Sequence, residues 1–380
     1  MELLFGIIVG ILILVFLVSV HELGHAILAR RNGVVVEEFG IGFPPRAWAK
    51  KLKNGVLFTL NWLPLGGFVK LQGEHDAANK KGDYGAATFW QKTRILLAGV
   101  LINWFVAALL LTVLAWTGLP KILPNQFSVA NDTTIVKKPI ELNLVANDSP
   151  ADKAGLKTGD QIVRFAGRGV ASSADLSAAT EANKGKDVEI IYARGGVEHT
   201  TTATLRNDSK EGYLGVSSGQ REQIQASWSA PIVGIVTTAQ FTYVTLQSLG
   251  HLFVDFFSGL FLQFSFDPEV REVAGKNLEK AGNSVAGPIG ILGTIFPAAE
   301  QAGLTQLIFL TAIVSLTLAV MNALPIPALD GGRWFTMAIF RLLKRPLTKE
   351  IEEKIQSIGF VILLGLIIIV TIADVGKLFK

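Results

Sequence analysis

Apolar residues run without a charge from Leu3 to Val20, and comparable density returns at 94–118, 304–324 and 356–373. A helix rises about 1.5 Å per residue, so about 20 such residues cross a hydrocarbon layer of about 30 Å. The pattern predicts four transmembrane helices, the first within residues 1–29. The intervals between them read differently. Residues 30–93 carry short β-rich runs punctuated by Gly and Pro. These are Val34-Val35-Val36, Phe39-Gly40-Ile41-Gly42-Phe43-Pro44-Pro45, Val56 to Trp62, and Leu65-Gly66-Gly67-Phe68-Val69-Lys70. Such punctuation predicts hairpins.

Residues 119–222 lose apolar density and gain charged, Gly, Thr and Asn residues, over the length of one domain. There, Ser149-Pro150-Ala151-Asp152-Lys153-Ala154-Gly155 predicts a short capped helix, with Pro in its first turn and Gly at its end. Strands are expected at Gln161–Phe165, Val188–Ala193 and Thr200–Leu205. Residues 223–303 are moderately apolar but dotted with Gln, Thr and Ser, His251 and Asp255. That predicts an amphipathic region on or partly in a membrane, with a loop over the charged stretch 267–282. Residues 304–380 hold the last two spans.

Composition agrees. Half of the 380 residues are hydrophobic and the mean hydropathy is +0.43, which suits several spans plus a soluble domain. The chain has no cysteine, which excludes a disulfide framework and a thiolate metal site. Glu2 stands where a signal peptide would carry basic residues, and no small-x-small cleavage site precedes His21. The first run is therefore expected to be a retained helix. The net charge is only +4, and the basic residues cluster beside apolar segments, which points to membrane topology rather than nucleic acid. Eleven Lys and Arg lie in 30–94, and Arg341, Lys344, Arg345, Lys349 and Lys354 follow the third span. Both segments are expected on the cytoplasmic side. The N-terminus and 119–222 are expected on the other.

At the end of the first run stands His21-Glu22-Leu23-Gly24-His25, an H-E-x-x-H pattern. Helical residues four apart share a face, so both imidazoles can reach one zinc, with Glu22 placed as general base for a water. Ionisable side chains in a span are costly and are functional by default. A catalytic zinc needs a third protein ligand, and Asp330 is the best candidate. It sits in Asn322-Ala323-Leu324-Pro325-Ile326-Pro327-Ala328-Leu329-Asp330-Gly331-Gly332, where two prolines break a helix and two glycines permit a tight backbone. Non-helical backbone at membrane depth belongs where it lines a polar cavity or is buried in protein.

Together, H-E-L-G-H and N-x-x-P-x-P-x-L-D-G resemble the site-2 protease family of intramembrane zinc metalloproteases. Ser149 to Asp160, with Gly212-Tyr213-Leu214-Gly215-Val216, resembles a bacterial PDZ domain. Leu65 to Lys70 resembles the family's membrane-reentrant β-hairpin region, and Ser284 to Ile291 also fits. The likeness is greatest to the bacterial branch that includes the regulator of sigma-E protease, but with one PDZ domain. The family usually has Ala-Gly-Pro where this chain has Ala98-Gly99-Val100, a departure expected to leave the metal site untouched.

The resemblance implies a polytopic α-helical membrane protein with about four transmembrane helices, a membrane-associated β-hairpin region and an inserted α+β PDZ domain. It implies a bacterial plasma-membrane enzyme with its active site toward the cytoplasm and the PDZ domain outside. Its substrates would be single-span proteins such as anti-sigma factors, or signal-peptide remnants, cleaved within the bilayer. It also implies that Asn322 binds substrate backbone. The β segment containing Gly66 and Gly67 can hold an unwound substrate strand by edge pairing. Tyr213, Leu214, Gly215 and Val216 can present backbone N–H groups to a peptide carboxylate, or the domain can act as a filter against bulky ectodomains.

Blander readings apply elsewhere. Asn103 in the second span reads as helix–helix hydrogen-bonding glue. His75 and His199 read as surface residues, and His251 as interfacial. The alternative function is a catalytically silent PDZ-containing scaffold. A silent chain is expected to lose Glu22 or a ligand, and this one keeps all four. A zinc transporter fits poorly, because the spans form no inverted repeat.

Overall fold

The computed structural model describes residues 2–208, 212–283 and 285–378; Ser284, the first residue of the 284–291 motif, lies outside them. The chain forms two compact units, one from residues 1–114 and 231–380 and the other from 115–230.

The first unit opens with α1 (Glu2–Arg31), β1 (Val36–Lys51), β2 (Leu57–Leu71) and α2 (Phe89–Thr117). Beyond the second unit follow α5 (Ala230–Leu262), α6 (Pro268–Asn283), α7 (Pro288–Gly290), a π-helical turn (Ile291–Ile295) and α8 (Phe296–Gln301). It closes with α9 (Leu304–Ala323), α10 (Asp330–Leu342) and α11 (Lys349–Leu378). Among the described residues, α1, α2, α9 and α11 are the four helices long and apolar enough to cross a membrane. These four overlay the four apolar runs. α11 starts earlier than its run because the polar turn 349–355 continues the same helix.

α1 is packed inside out relative to a soluble helix. Leu4, Leu12 and Phe16 are exposed, whereas Gly6, Gly10, Gly24, Ala26 and Ala29 are buried. Small residues let backbones approach where lipid supplies no hydrophobic drive between helices. A Cβ on Gly6 would lie 2.6 Å from Pro297 Cα, and one on Gly24 would lie 2.8 Å from the Ala98 carbonyl oxygen.

The expected hairpins are two long antiparallel strands. Residues 38–41 of β1 pair on one side with 57–60 of β2 and on the other with 67–70. The 67–71 segment pairs on one side only among the described residues, so it forms an edge beside α1.

One expectation fails: 267–282 is not a loop but α6. Val270, Val273, Ala274, Leu278 and Ala281 recur at helical spacing, which the surrounding charges obscure. Asp267 Oδ1 accepts from the Glu269 N–H at 2.9 Å, starting the helix.

The second unit is a seven-stranded antiparallel sheet with two short helices, α3 (Pro150–Lys153) and α4 (Ser173–Ala182). Its strands are β3 (Leu119–Pro120), β4 (Thr134–Val145), β5 (Gln161–Phe165), β6 (Arg168–Gly169), β7 (Asp187–Arg194), β8 (Val197–Thr204) and β9 (Val216–Gln225). The path runs β3-β9-β4-β5-β7-β8, with β6 against β5. Ile140, Leu142, Leu156, Ile162, Phe165 and Ile190 form its core. The expected cap is present: Ser149 Oγ accepts from the Asp152 N–H at 3.1 Å, and Gly155 takes φ +78°. β9 shows no alternation because its residues are mostly polar, and it is held mainly by β4, whose Ile140 and Leu142 alternate with Glu141 and Asn143. Asp132 secures the end of this unit. Its carboxylate accepts from the N–H groups of Ser227 and Ser229 at 2.9 and 3.0 Å, and from both hydroxyls.

Candidate metal centre

Helical periodicity puts His21 and His25 on one face, edge to face, with ring centroids 4.8 Å apart. Asp330 reaches them from the far end of the chain. α9 stops at Ala323, the loop with Pro325 and Pro327 turns back, and Ala328 takes φ +72°. The Ala328 N–H donates to Gln356 Oε1 at 2.6 Å, tying the turn to α11. Asp330 then opens α10. Its two following glycines are obligatory for this fold: a Cβ on Gly331 would lie 2.3 Å from the Leu324 oxygen, and one on Gly332 would lie 2.0 Å from the Ile326 oxygen.

Three ligand-type atoms converge. His21 Nε2 lies 3.0 Å from Asp330 Oδ2, His25 Nε2 lies 3.1 Å from the same oxygen, and the two nitrogens are 3.2 Å apart. Bonds of about 2.0–2.1 Å to a tetrahedral ion imply ligand separations of about 3.3 Å, close to this triangle. The His25 Nδ1–H donates to the Ile95 carbonyl at 2.8 Å. That leaves its Nε2 lone pair facing a carboxylate oxygen, and a cation between two such acceptors satisfies both. Among the described residues this is the one His, Cys, Asp or Glu cluster that could hold a metal. Without cysteine, the donor set of two imidazoles and a carboxylate suits zinc with a position left open.

Glu22 lies beside this triangle. Its Oε2 accepts from the Val69 N–H on the edge segment of β2 at 3.0 Å. A Cβ on Gly67 would crowd the Gly40 carbonyl oxygen at 3.0 Å and would meet Glu22 Cγ at 3.8 Å, so this residue of the strand lies beside Glu22. Gly66, at φ +134°, sits one residue earlier. A cleft of about 250 Å³ opens on Val18, His21, Glu22, Asn103, Leu318, Asn322, Ala328, Leu329 and Asp330. His21, Glu22, His25, Asp330 and Asn322 are therefore brought together, with Gly66 and Gly67 adjoining. Tyr213, Leu214, Gly215 and Val216 lie in the second unit, where they lead into β9 and Gly215 takes φ +76°.

The sequence missed several contributors. Gly99 packs on both imidazoles: a Cβ there would lie 2.6 Å from His21 Nε2 and from His25 Nε2. Val100 next to it leaves α2 unbroken. Asn103 is not the expected glue, because its side-chain amide has no partner and Ser315 Oγ donates to its backbone carbonyl at 2.8 Å instead. Arg333, one turn beyond Asp330, donates to Glu352 at 3.0 Å and to the Glu74 carboxylate at 3.1 Å, and stacks 4.6 Å over Tyr84. Burial opposes its charge, but Tyr84, Glu74 and Glu352 hold the guanidinium above its ordinary pKa. Burial likewise raises the Tyr84 phenol. Arg333 three residues after Asp330 was a local clue, whereas Glu74 carried none.

Comparison with known proteins matches residues 9–366 to peptidase family M50. A Clostridium perfringens protein named as a zinc metalloprotease is 30% identical over 94% of this chain and 95% of its own. The zinc metalloprotease RasP of Geobacillus kaustophilus is 26% identical over 96% of each chain. The solved PDZ domain of an SdrC-like protein from Listeria monocytogenes covers 24% of this chain and 93% of its own, at 24% identity and a TM-score of 0.20.

Proposed function

The chain belongs to peptidase family M50, and from that premise we propose that it is a zinc-dependent endopeptidase cutting single-span proteins within the bilayer. The observation that carries this reading is the meeting of His21, His25 and Asp330, with ligand atoms within 4.8 Å of one another beside Glu22. These three residues would hold the ion. Zinc bound there supplies Lewis acidity to a water and to the scissile carbonyl. Glu22 takes the water's proton and delivers it to the leaving amine. The low-dielectric surround strengthens each charge interaction.

A helical substrate hides its carbonyls and must unwind first. The free side of 67–71 offers edge pairing to the opened strand, next to Glu22, and Gly66 and Gly67 lie at the start of that edge. Asn322 would contact the substrate backbone. Basic residues in 30–94 and 341–354 support a cytoplasmic site in a bacterial plasma membrane, with 119–222 outside. We assign that outer segment as a PDZ domain that filters bulky ectodomains, so anti-sigma-type proteins already trimmed, or signal-peptide remnants, would be admitted. Tyr213 to Val216 would be its peptide-contact edge.

The test is cleavage of a tagged single-span substrate by wild type and by Glu22→Gln, with bound zinc measured in both. Cleavage should vanish in the variant while zinc stays. Equal cleavage by the two proteins would reject the general-base role, and a wild type without zinc or activity would favour the silent scaffold.

A further inference from the structure

Asn103 lies in α2 with no exposed surface, and neither its Oδ1 nor its Nδ2 has a hydrogen-bond partner. Among the described residues it is the one buried side chain with two such orphaned atoms. An amide buried in this state destabilises the fold, so its presence calls for another explanation. Helix glue is not that explanation, because the α2–α9 contact uses the Asn103 backbone carbonyl and Ser315 Oγ, 2.8 Å apart. Asn103 instead sits at the wall of the same cleft that Glu22, Asn322 and Asp330 line. An amide offers one donor group and one acceptor, which is the complement of a peptide bond.

We propose that Asn103 binds the scissile peptide group, its Nδ2–H donating to the carbonyl oxygen as that oxygen takes up charge. The inference rests on the peptidase reading given above. In the step, the water oxygen adds to the carbonyl carbon, and the carbonyl π pair moves onto the oxygen that Asn103 holds. Glu22 accepts the water's proton. The pair then re-forms the C=O bond, the C–N bond breaks, and Glu22 returns the proton to the departing nitrogen. One water is consumed, and one carboxyl and one amine end appear. A donor already held beside the site by its helix needs little reorientation when charge develops, which is what makes such groups effective.

The experiment compares full-length wild type, Asn103→Val and Asn103→Ala on one tagged single-span substrate, with kcat, KM, bound zinc and unfolding midpoint read for each. Val is close to Asn in size and removes both orphaned atoms. Its kcat should fall by about 100-fold or more, with zinc unchanged and the midpoint equal or higher. Asn103→Ala should show the same loss of kcat, which keeps the test open if Val packs badly. Unchanged kcat in both variants overturns the inference. So does a loss of kcat that tracks a lower midpoint or lost zinc, because that marks a structural role. A wild type that cleaves nothing overturns the peptidase reading and this inference with it, whereas cleavage that survives in the Asn103 variants overturns this inference alone.

Discussion

His25 Nε2 and Asp330 Oδ2 stand 3.1 Å apart although 305 residues separate them in sequence. Each is set from its far side: His25 by the Ile95 carbonyl, and Asp330 by the α10 start and the glycines after it. Asp330→Asn keeps the shape but removes the charge that opposes a dication. Zinc affinity should drop by more than about 100-fold, the upper end of what changes to outer-shell partners cost. Metal analysis after dialysis against a graded chelator reads this directly. Unchanged affinity would remove Asp330 from the ligand set.

Gly99 makes a sharper test, since it contributes no ligand. Gly99→Ala places a methyl 2.6 Å from both Nε2 atoms and should displace the imidazoles. Zinc content and cleavage should both collapse. Helix propensity runs the other way, because Ala favours a helix over Gly by about 1 kcal/mol. Gly365→Ala in α11, where a Cβ meets nothing within 4 Å, serves as the control and should keep full activity. Normal zinc content in Gly99→Ala would show that the helices relax freely there.

The four apolar helices, the histidine pair and its aspartate were all readable from the chain, for one physical reason. Membrane insertion and metal ligation both impose local patterns: long uncharged runs, a four-residue repeat, Pro and Gly around a carboxylate. What escaped lacks such a signature. β9 has only Ile224 fully buried, so no alternation announces it, and its pairing to β4 supplies the structure. α6 hides its apolar stripe among charges. Gly99 and Asn103 look like ordinary residues of an apolar helix until α1 is packed beside them. Their placement beside the site is a tertiary fact, and local periodicity does not encode it.

Asp132 supplies a pH-dependent clamp in the second unit. Hydrogen bonds from the Ser227 and Ser229 hydroxyls, aided by their N–H groups, lower its pKa from 3.8 to about 2. The folded pKa is depressed, so its stabilisation is complete above 3.8 and is lost as pH falls through about 2. Asp132→Asn replaces an acceptor oxygen with a donor. At pH 7 the variant should exchange the Ser227 and Ser229 amides faster than wild type, as read by hydrogen exchange and mass spectrometry. That gap should close as pH drops below the folded pKa. A gap that persists at pH 1 would show that charge is not the cause.

Arg333 joins α10 to two other elements. It donates to Glu352 on α11 and to Glu74 in the segment after β2, while its guanidinium covers Tyr84. Glu352 also accepts from the Asp76 N–H at 2.8 Å, and Asp76 pairs with Lys92 at the start of α2. The network thus fixes the helix whose first residue is Asp330. Removing one partner of a buried pair leaves the other charge uncompensated, at a cost of about 3–5 kcal/mol. Glu352 bears this cost, because its side chain is only 5% accessible. Arg333→Met should therefore lower the unfolding midpoint sharply and weaken zinc binding, although Arg333 touches no ligand atom. Adding Glu352→Gln removes the stranded charge while keeping an acceptor for Asp76, and should restore much of the midpoint. Zinc affinity should recover less, because α10 still lacks the bonds that orient it. If the double variant is no more stable than Arg333→Met, the charge left on Glu352 is not what destabilises the single variant.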